Sequence, residues 1–259
     1  RTRRQVADAL ALPVFAEIPR RRREAGRGSA IALIDQPNSA EADGYRVLRS
    51  AVGLTSDDPP PLRPPPAAGA ARRTSRVIVV TSLSGPPDET VANLAAGLGE
   101  DRQVVVLDGD LRHPVLHEWF DVPNAEGLSD YLADPDLELS TLARPTRIPQ
   151  VQLLTAGSDL SQPMVVVSQL GKIIAAAGEL ADVVIVKAPP LLAASEAFEL
   201  LPLADLVLVH ARSGNLERAR AARARELLHR YTAAEAGVVL VGMRESIFLK
   251  NGNQPFVKS

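Results

Sequence analysis

Two carboxylates one residue apart, Asp108 and Asp110, close an apolar run at residues 104–107. After a buried strand, that spacing suits a hard cation such as Mg²⁺, one oxygen binding directly and one through water. A strand end with ordinary polar punctuation is the competing reading. Upstream, the β-branched run 77–80 meets the turn Leu83-Ser84-Gly85-Pro86-Pro87, and a helical pattern follows from about residue 89 to 98. Strand, glycine-containing turn and helix is the frame in which free N–H groups and a helix dipole hold phosphate. The phosphate chemistry itself is missing. No Lys lies in 82–90 to reach β and γ phosphates, and Pro86 and Pro87 remove two N–H donors. Asp88 and Glu89 add negative charge where a triphosphate would sit, which favours the helix dipole by about 0.3–1 kcal/mol each and repels the ligand. A helix start that caps itself with acids is the simpler reading of those residues.

A third stretch, 182–190, is an apolar strand that ends in Lys187-Ala188-Pro189-Pro190. A Walker B strand ends in Asp where it serves a metal; here the position is Lys187. Without Mg²⁺, Asp108 and Asp110 would face each other's charge, and Lys187 at a neighbouring strand end could supply the missing cation and close the pocket.

The elements that must position these groups read as alternating strands and helices. Strand candidates are 14–18, 77–80, 104–107, 151–155, 183–186, 206–210 and 238–241. Helical patterns fall at 4–12, 39–54, 164–180, 196–201 and 216–231, with two short helices in 111–133. Strands apolar on both faces, alternating with helices, predict α/β architecture: a doubly wound, mostly parallel sheet with a short N-terminal helical attachment. The expected division is an attachment and helix over 1–56, a proline-rich linker over 57–75, the α/β domain over 76–243, and a fraying tail over 244–259. In the 39–54 helix, Ala42, Tyr45, Leu48 and Val52 share one side, and Asp43, Arg46 and Arg49 another.

The 259 residues suffice for one large domain, and 46% are apolar but only 3% aromatic, so the core must be aliphatic. Cysteine is absent, which excludes disulfides and thiolate metal sites. Net charge is −2, so general polyanion binding is not indicated and no nucleic-acid partner is expected. Arginines cluster at 1–4, 20–23 and 27, a solvated loop or a segment on an anionic leaflet. No apolar run reaches the length of a membrane span. The chain starts at Arg1 within a helical pattern, and the expectation is a piece of a longer protein with any membrane helix upstream.

Over nearly its whole length the chain resembles the bacterial tyrosine kinases (BY-kinases, CpsD/CapB type), deviant-Walker P-loop proteins related to ParA and MinD. The DxDLRxP element is present as Asp108, Asp110, Leu111, Arg112 and Pro114; the PNxxGLSDYL element runs from Pro123 to Leu132. Lys187-Ala188-Pro189-Pro190 stands for the family's DTPP, and residues 204–209 for its following strand. Residues 11–19 resemble the upstream LGLPVLGxIP element. Asp43, Arg46 and Arg49 stand for the Glu-x-x-Arg-x-x-Arg motif, which the resemblance makes an oligomerisation helix docking on a neighbouring subunit. Four departures bear on activity: a short P-loop without its Lys, Lys187 for the Walker B Asp, Val241 for an adenine-contacting Asn, and no Tyr after Met243.

The resemblance therefore implies a catalytically inactive kinase-like domain, a regulatory or scaffold module of a polysaccharide chain-length regulator. It would lie on the cytoplasmic side of the plasma membrane, self-associate as a homo-oligomer, and work with a membrane segment or membrane-protein partner. The degenerate pocket would comprise Gly85, Asp88, Glu89, Asp108, Asp110 and Lys187, with no catalytic residue, no cofactor, and no metal unless at Asp108 and Asp110. The alternatives are an active tyrosine kinase or ATPase that takes Mg-ATP by an unusual route through Lys187, and a ParA/MinD-like positioning protein.

Overall fold

A computed structural model describes residues 3–20, 30–53, 75–134, 137–157, 163–214, 217–232 and 234–243. The basic residues at 21–27, most of the proline-rich stretch and the tail from 244 lie outside the described residues, and so do the linker and tail boundaries.

The chain begins with α1 (Arg3–Leu10), β1 (Val14–Pro19), α2 (Ala32–Asp35) and α3 (Ala40–Gly53), and continues past the proline-rich stretch with β2 (Arg76–Ser82), α4 (Asp88–Leu98) and β3 (Val104–Asp108). Short pieces follow: α5 (Leu116–Phe120), α6 (Leu128–Ala133), α7 (Leu139–Leu142) and β4 (Arg144–Pro145). Then come β5 (Val151–Leu154), α8 (Pro163–Ala177), β6 (Val183–Lys187), α9 (Glu196–Leu200), β7 (Leu206–Arg212), α10 (Arg218–Tyr231) and β8 (Glu235–Met243). The strands form one sheet in the order β1-β8-β7-β2-β6-β3-β5-β4, parallel throughout except the β4–β5 edge. This is the doubly wound α/β architecture that the alternating pattern predicts.

Two aliphatic cores cover the two faces. Ile78, Val80, Val104, Val106, Val183, Ile185, Leu206 and Leu208 face α4 and α3. The alternate positions Val77, Val79, Val105, Val184 and Val207 face the other layer, with Leu170, Ile173 and Leu228. Period-two alternation explains the partition, because successive side chains of a strand point to opposite faces. Residues upstream of the proline-rich stretch belong to the same fold: β1 pairs with β8 from Val14↔Val238 to Pro19↔Met243. Helix α3 lays Ala42, Tyr45, Leu48 and Val52 into the core, and Gly44 brings its backbone against β1.

The central triplet β2-β6-β3 places the site. In register, Lys187 lies beside Val80 on one side and Asp108 on the other. Their carboxyl ends open toward the first turn of α4, where ligands enter open parallel sheets.

Candidate functional site

Asp108 continues the face of Val104 and Val106, and Lys187 that of Val183 and Ile185, so both side chains project toward α4. The Lys187 ammonium is 1% exposed. Its Nζ lies 3.0 Å from Asp88 Oδ1 and 3.3 Å from Asp108 Oδ1, and it donates to the His113 carbonyl at 2.8 Å. An ammonium has three N–H donors, and three oxygens surround this one. Burial works against its charge, yet Asp108 and Asp88 together hold its pKa above the usual lysine value.

Each carboxylate has a second source of stabilisation. Asp108 Oδ2 accepts from the backbone N–H groups of Val115 and Leu116, both at 3.0 Å, and so ties the end of β3 to the start of α5. Burial still raises its carboxyl from 3.8 to about 6, against the downward pull of Lys187 and Leu116. Asp88 occupies the first position of α4, where the helix dipole favours a negative charge.

The expected pairing of Lys187 with Asp108 is thus present, but its second partner within ion-pair distance is Asp88 rather than Asp110. Asp110 is buried beside them, and burial raises its pKa while Lys187 and His113 oppose the shift. Glu89 corrects the sequence expectation: it leaves the pocket and accepts a hydrogen bond from the Tyr45 hydroxyl at 2.9 Å. It faces α3 because it lies one residue, about 100°, further round α4 than Asp88. Burial, with the Glu89 charge next, raises the Tyr45 pKa well above its ordinary value. Gly85 stands in the turn with φ +74°, a conformation that favours glycine, and is exposed.

Several contacts were not anticipated from the sequence. Arg112 forks onto Glu196 Oε1 through Nε and Nη2, joining the β3 loop to α9, and this bond with the guanidinium lowers the Glu196 pKa. His210 at the end of β7 is fully buried with Nδ1 2.9 Å from Thr90 Oγ1. Burial, and then the charge of Arg212, push its pKa down to about 3, so it is neutral. Asp205 accepts from the Val77 N–H at 2.8 Å. The register of β7 beside β2 could have suggested His210, since the end of one strand faces the end of the next; nothing in the sequence pairs Arg112 with Glu196.

In the expected oligomerisation helix, Arg46 pairs with Asp43 at 2.6 Å and donates to the Pro37 carbonyl. Arg49 reaches Glu100 and, at 3.2 Å, Asp101. Arg46 and Arg49 line one cleft of about 410 Å³ with Ser50, Leu98 and Arg102.

The pocket does not fit a magnesium triphosphate. Its cation is an ammonium of the protein, and Asp108 has both oxygens engaged, one by Lys187 and one by α5. The turn lacks a Lys and carries two prolines where amides would face phosphate.

No family model matches the chain. It is 34% identical over 109 residues to the tyrosine-protein kinase wzc of Salmonella typhi, covering 41% of this chain and 15% of that protein. The tyrosine-protein kinase ptk of Acinetobacter johnsonii is 25% identical over 224 residues, covering 80% of this chain. The chain spans only 28% of that relative's length. In structure it matches the kinase domain of Escherichia coli tyrosine kinase ETK with a TM-score of 0.76 at 22% identity, over 94% of each chain. In sequence the chain is thus similar to bacterial tyrosine kinases over a part of their length, and in structure it has the P-loop fold of such a kinase domain.

Proposed function

We propose that this domain has given up phosphotransfer and serves as a regulatory or scaffold module in the assembly of an envelope or extracellular polysaccharide. The observation that carries the reading is the buried Lys187, which brings its own positive charge to the place between Asp88 and Asp108. In a working site of this fold, a metal ion and a P-loop lysine neutralise the phosphates. Here one ammonium neutralises the protein's own acids instead. No Asp is left at the end of β6, and no Lys stands in the turn.

The alternative route, in which Lys187 itself grips ATP, loses support from the same geometry. Its ammonium donates to the His113 carbonyl and lies within ion-pair distance of Asp88 and Asp108, and its side chain is almost wholly covered. Helix α3 with Arg46 and Arg49 supports the polysaccharide assignment over a positioning protein, because the motif belongs to the former group by resemblance. The association implied is with further copies of this chain and with a membrane-protein partner at the cytoplasmic face of the plasma membrane. Among the described residues, no helix is long and apolar enough to cross a membrane.

Isothermal titration with Mg·ATP tests this reading directly. No micromolar binding is expected, and no labelled phosphate should reach a tyrosine peptide. A micromolar Kd that requires magnesium, together with phosphotransfer, would overturn it.

A further inference from the structure

We propose that the outward face of α10, together with the recess beside it at the end of α1, docks on an anionic lipid bilayer. The helix reads RARAARARELLHRY, five arginines against one glutamate, in a chain whose net charge is only −2. Its inner side is fixed by the buried Ala221, Ala224, Leu227 and Leu228. The helical period then puts Arg218, Ala222, Arg225 and His229 on one outer stripe, and Ala219, Arg223, Glu226 and Arg230 on the next. All of these are exposed.

Elsewhere in the fold arginines are paired: Arg46 with Asp43, Arg112 with Glu196, Arg144 with Glu126 and Arg147 with Asp35. On α10 Arg223 is paired with Glu226 at 2.7 Å, but among the described residues Arg218, Arg225 and Arg230 have no carboxylate within ion-pairing distance. Arg218 and Arg220 also stand in the first turn, where the helix dipole favours acids and α10 has none. For the helix alone that charge is unfavourable, and an anionic surface would offset it.

The recess, of about 620 Å³, opens between the carboxyl half of α10 and the end of α1. Ala9, Leu12, Ala222 and Ala236 wall it, and the exposed Arg225 and His229 line it too. Cations beside an open apolar recess match an interface where charged headgroups overlie acyl chains. Arginine stems can lie along apolar surface while their heads stay among the headgroups, and the alanines between them let the helix come close. A nucleic acid would call for an exposed ring to stack on a base. The ring on this helix, Tyr231, is already stacked on Phe198 with centroids 5.0 Å apart. The inference rests on the membrane-side location proposed above and is independent of the loss of phosphotransfer.

The test is co-sedimentation of the whole chain, without nucleotide, with vesicles of phosphatidylcholine and with vesicles of phosphatidylcholine and phosphatidylglycerol in equal parts. Binding is expected to the mixed vesicles alone, and should weaken as salt is added. Arg218→Gln, Arg225→Gln and Arg230→Gln should each weaken it about fivefold. Arg147→Gln removes the same charge near the opposite edge of the sheet and should leave binding unchanged. Ala222→Glu, which sets a negative charge in the recess, should weaken binding at least as much as any of the glutamine variants. The substituted residues of α10 are exposed, and circular dichroism checks that each variant is folded. Equal binding to both kinds of vesicle, or binding to the mixed vesicles that the α10 variants leave intact, would overturn the lipid face. Capture by polyglutamate without vesicle binding would overturn it in favour of an acidic protein segment. Binding to neither would overturn it as well, and would leave the membrane-side location to a protein tether.

Discussion

A lysine ammonium taken out of water costs several kcal/mol unless oxygens replace its hydration shell, and Lys187 has three of them. Removing the cation leaves Asp88 and Asp108 facing each other under cover. Lys187→Met should therefore lower unfolding stability by about 3–5 kcal/mol, read from urea denaturation at neutral pH. Adding Asp88→Asn should restore part of the loss, and a wild-type midpoint for Lys187→Met would refute the pairing. Asp108 supplies a second test. Its folded carboxyl is raised to about 6 from 3.8, chiefly by burial, so the folded state holds the proton more tightly than the unfolded chain. Its contribution to stability is thus greatest below the unfolded value and is lost as pH rises through about 6. The swing is roughly 3 kcal/mol. Asp108→Asn should flatten the stability curve between about pH 4 and 6 relative to wild type; parallel curves would show that Asp108 does not titrate there. The apolar runs that end in Asp108 and Lys187 already put both at strand ends, while the adjacency of those strands comes from the sheet order. The direction in which Asp88 and Glu89 point was not legible, because it depends on how α4 is rotated against the sheet.

Among the elements, most were readable, down to the five-residue helices α5 and α9, and only the shortest were not. Strands such as Val183–Lys187 are apolar runs between polar punctuation, and α3 shows its buried stripe as a helical period. The two-residue β4 and the four-residue α2 are too short to show any period, and α2 has no side-chain cap to mark its start. What holds α2 is a tertiary contact. Asn93, fully buried on α4, accepts the Leu33 N–H at 3.1 Å and donates to the Glu89 carbonyl at 2.9 Å. A polar residue inside an apolar helix face reads as a mismatch until its partner from another element is known. Asn93→Ala would leave the Leu33 N–H without its acceptor under cover, at a cost of about 1–3 kcal/mol. Thermal unfolding should show the loss, while an unchanged melting temperature would mean that α2 is held by its apolar contacts alone. The outer grip on α2 is the paired contact of Arg147 with Asp35, at 2.8 and 2.9 Å.

For the whole molecule, the question is whether α3 serves this chain or a neighbouring copy. Arg46 is bound to Asp43 and Arg49 to the end of α4, both within one chain, and all these groups are at least partly exposed. Exposed pairs of this kind are worth about 0–1 kcal/mol, so exchanging them for equivalent pairs across a subunit boundary costs little. An arginine satisfied at home is therefore no obstacle to docking, and the cleft shared with Leu98 and Arg102 offers an adjoining recess. Self-association through this face should be electrostatic in part, and hence weaker at high salt. Sedimentation velocity over a range of protein concentrations is expected to show assemblies that Arg46→Glu and Arg49→Glu dissociate. Each reversal should raise the dissociation constant about tenfold or more, since it replaces attraction by like-charge contact. Thermal stability of the isolated chain should change little in the same variants, because the pairs they remove are exposed. Assembly that ignores both reversals would move the contact to another face, and a chain that stays monomeric at every concentration would leave α3 with only its buried stripe to account for.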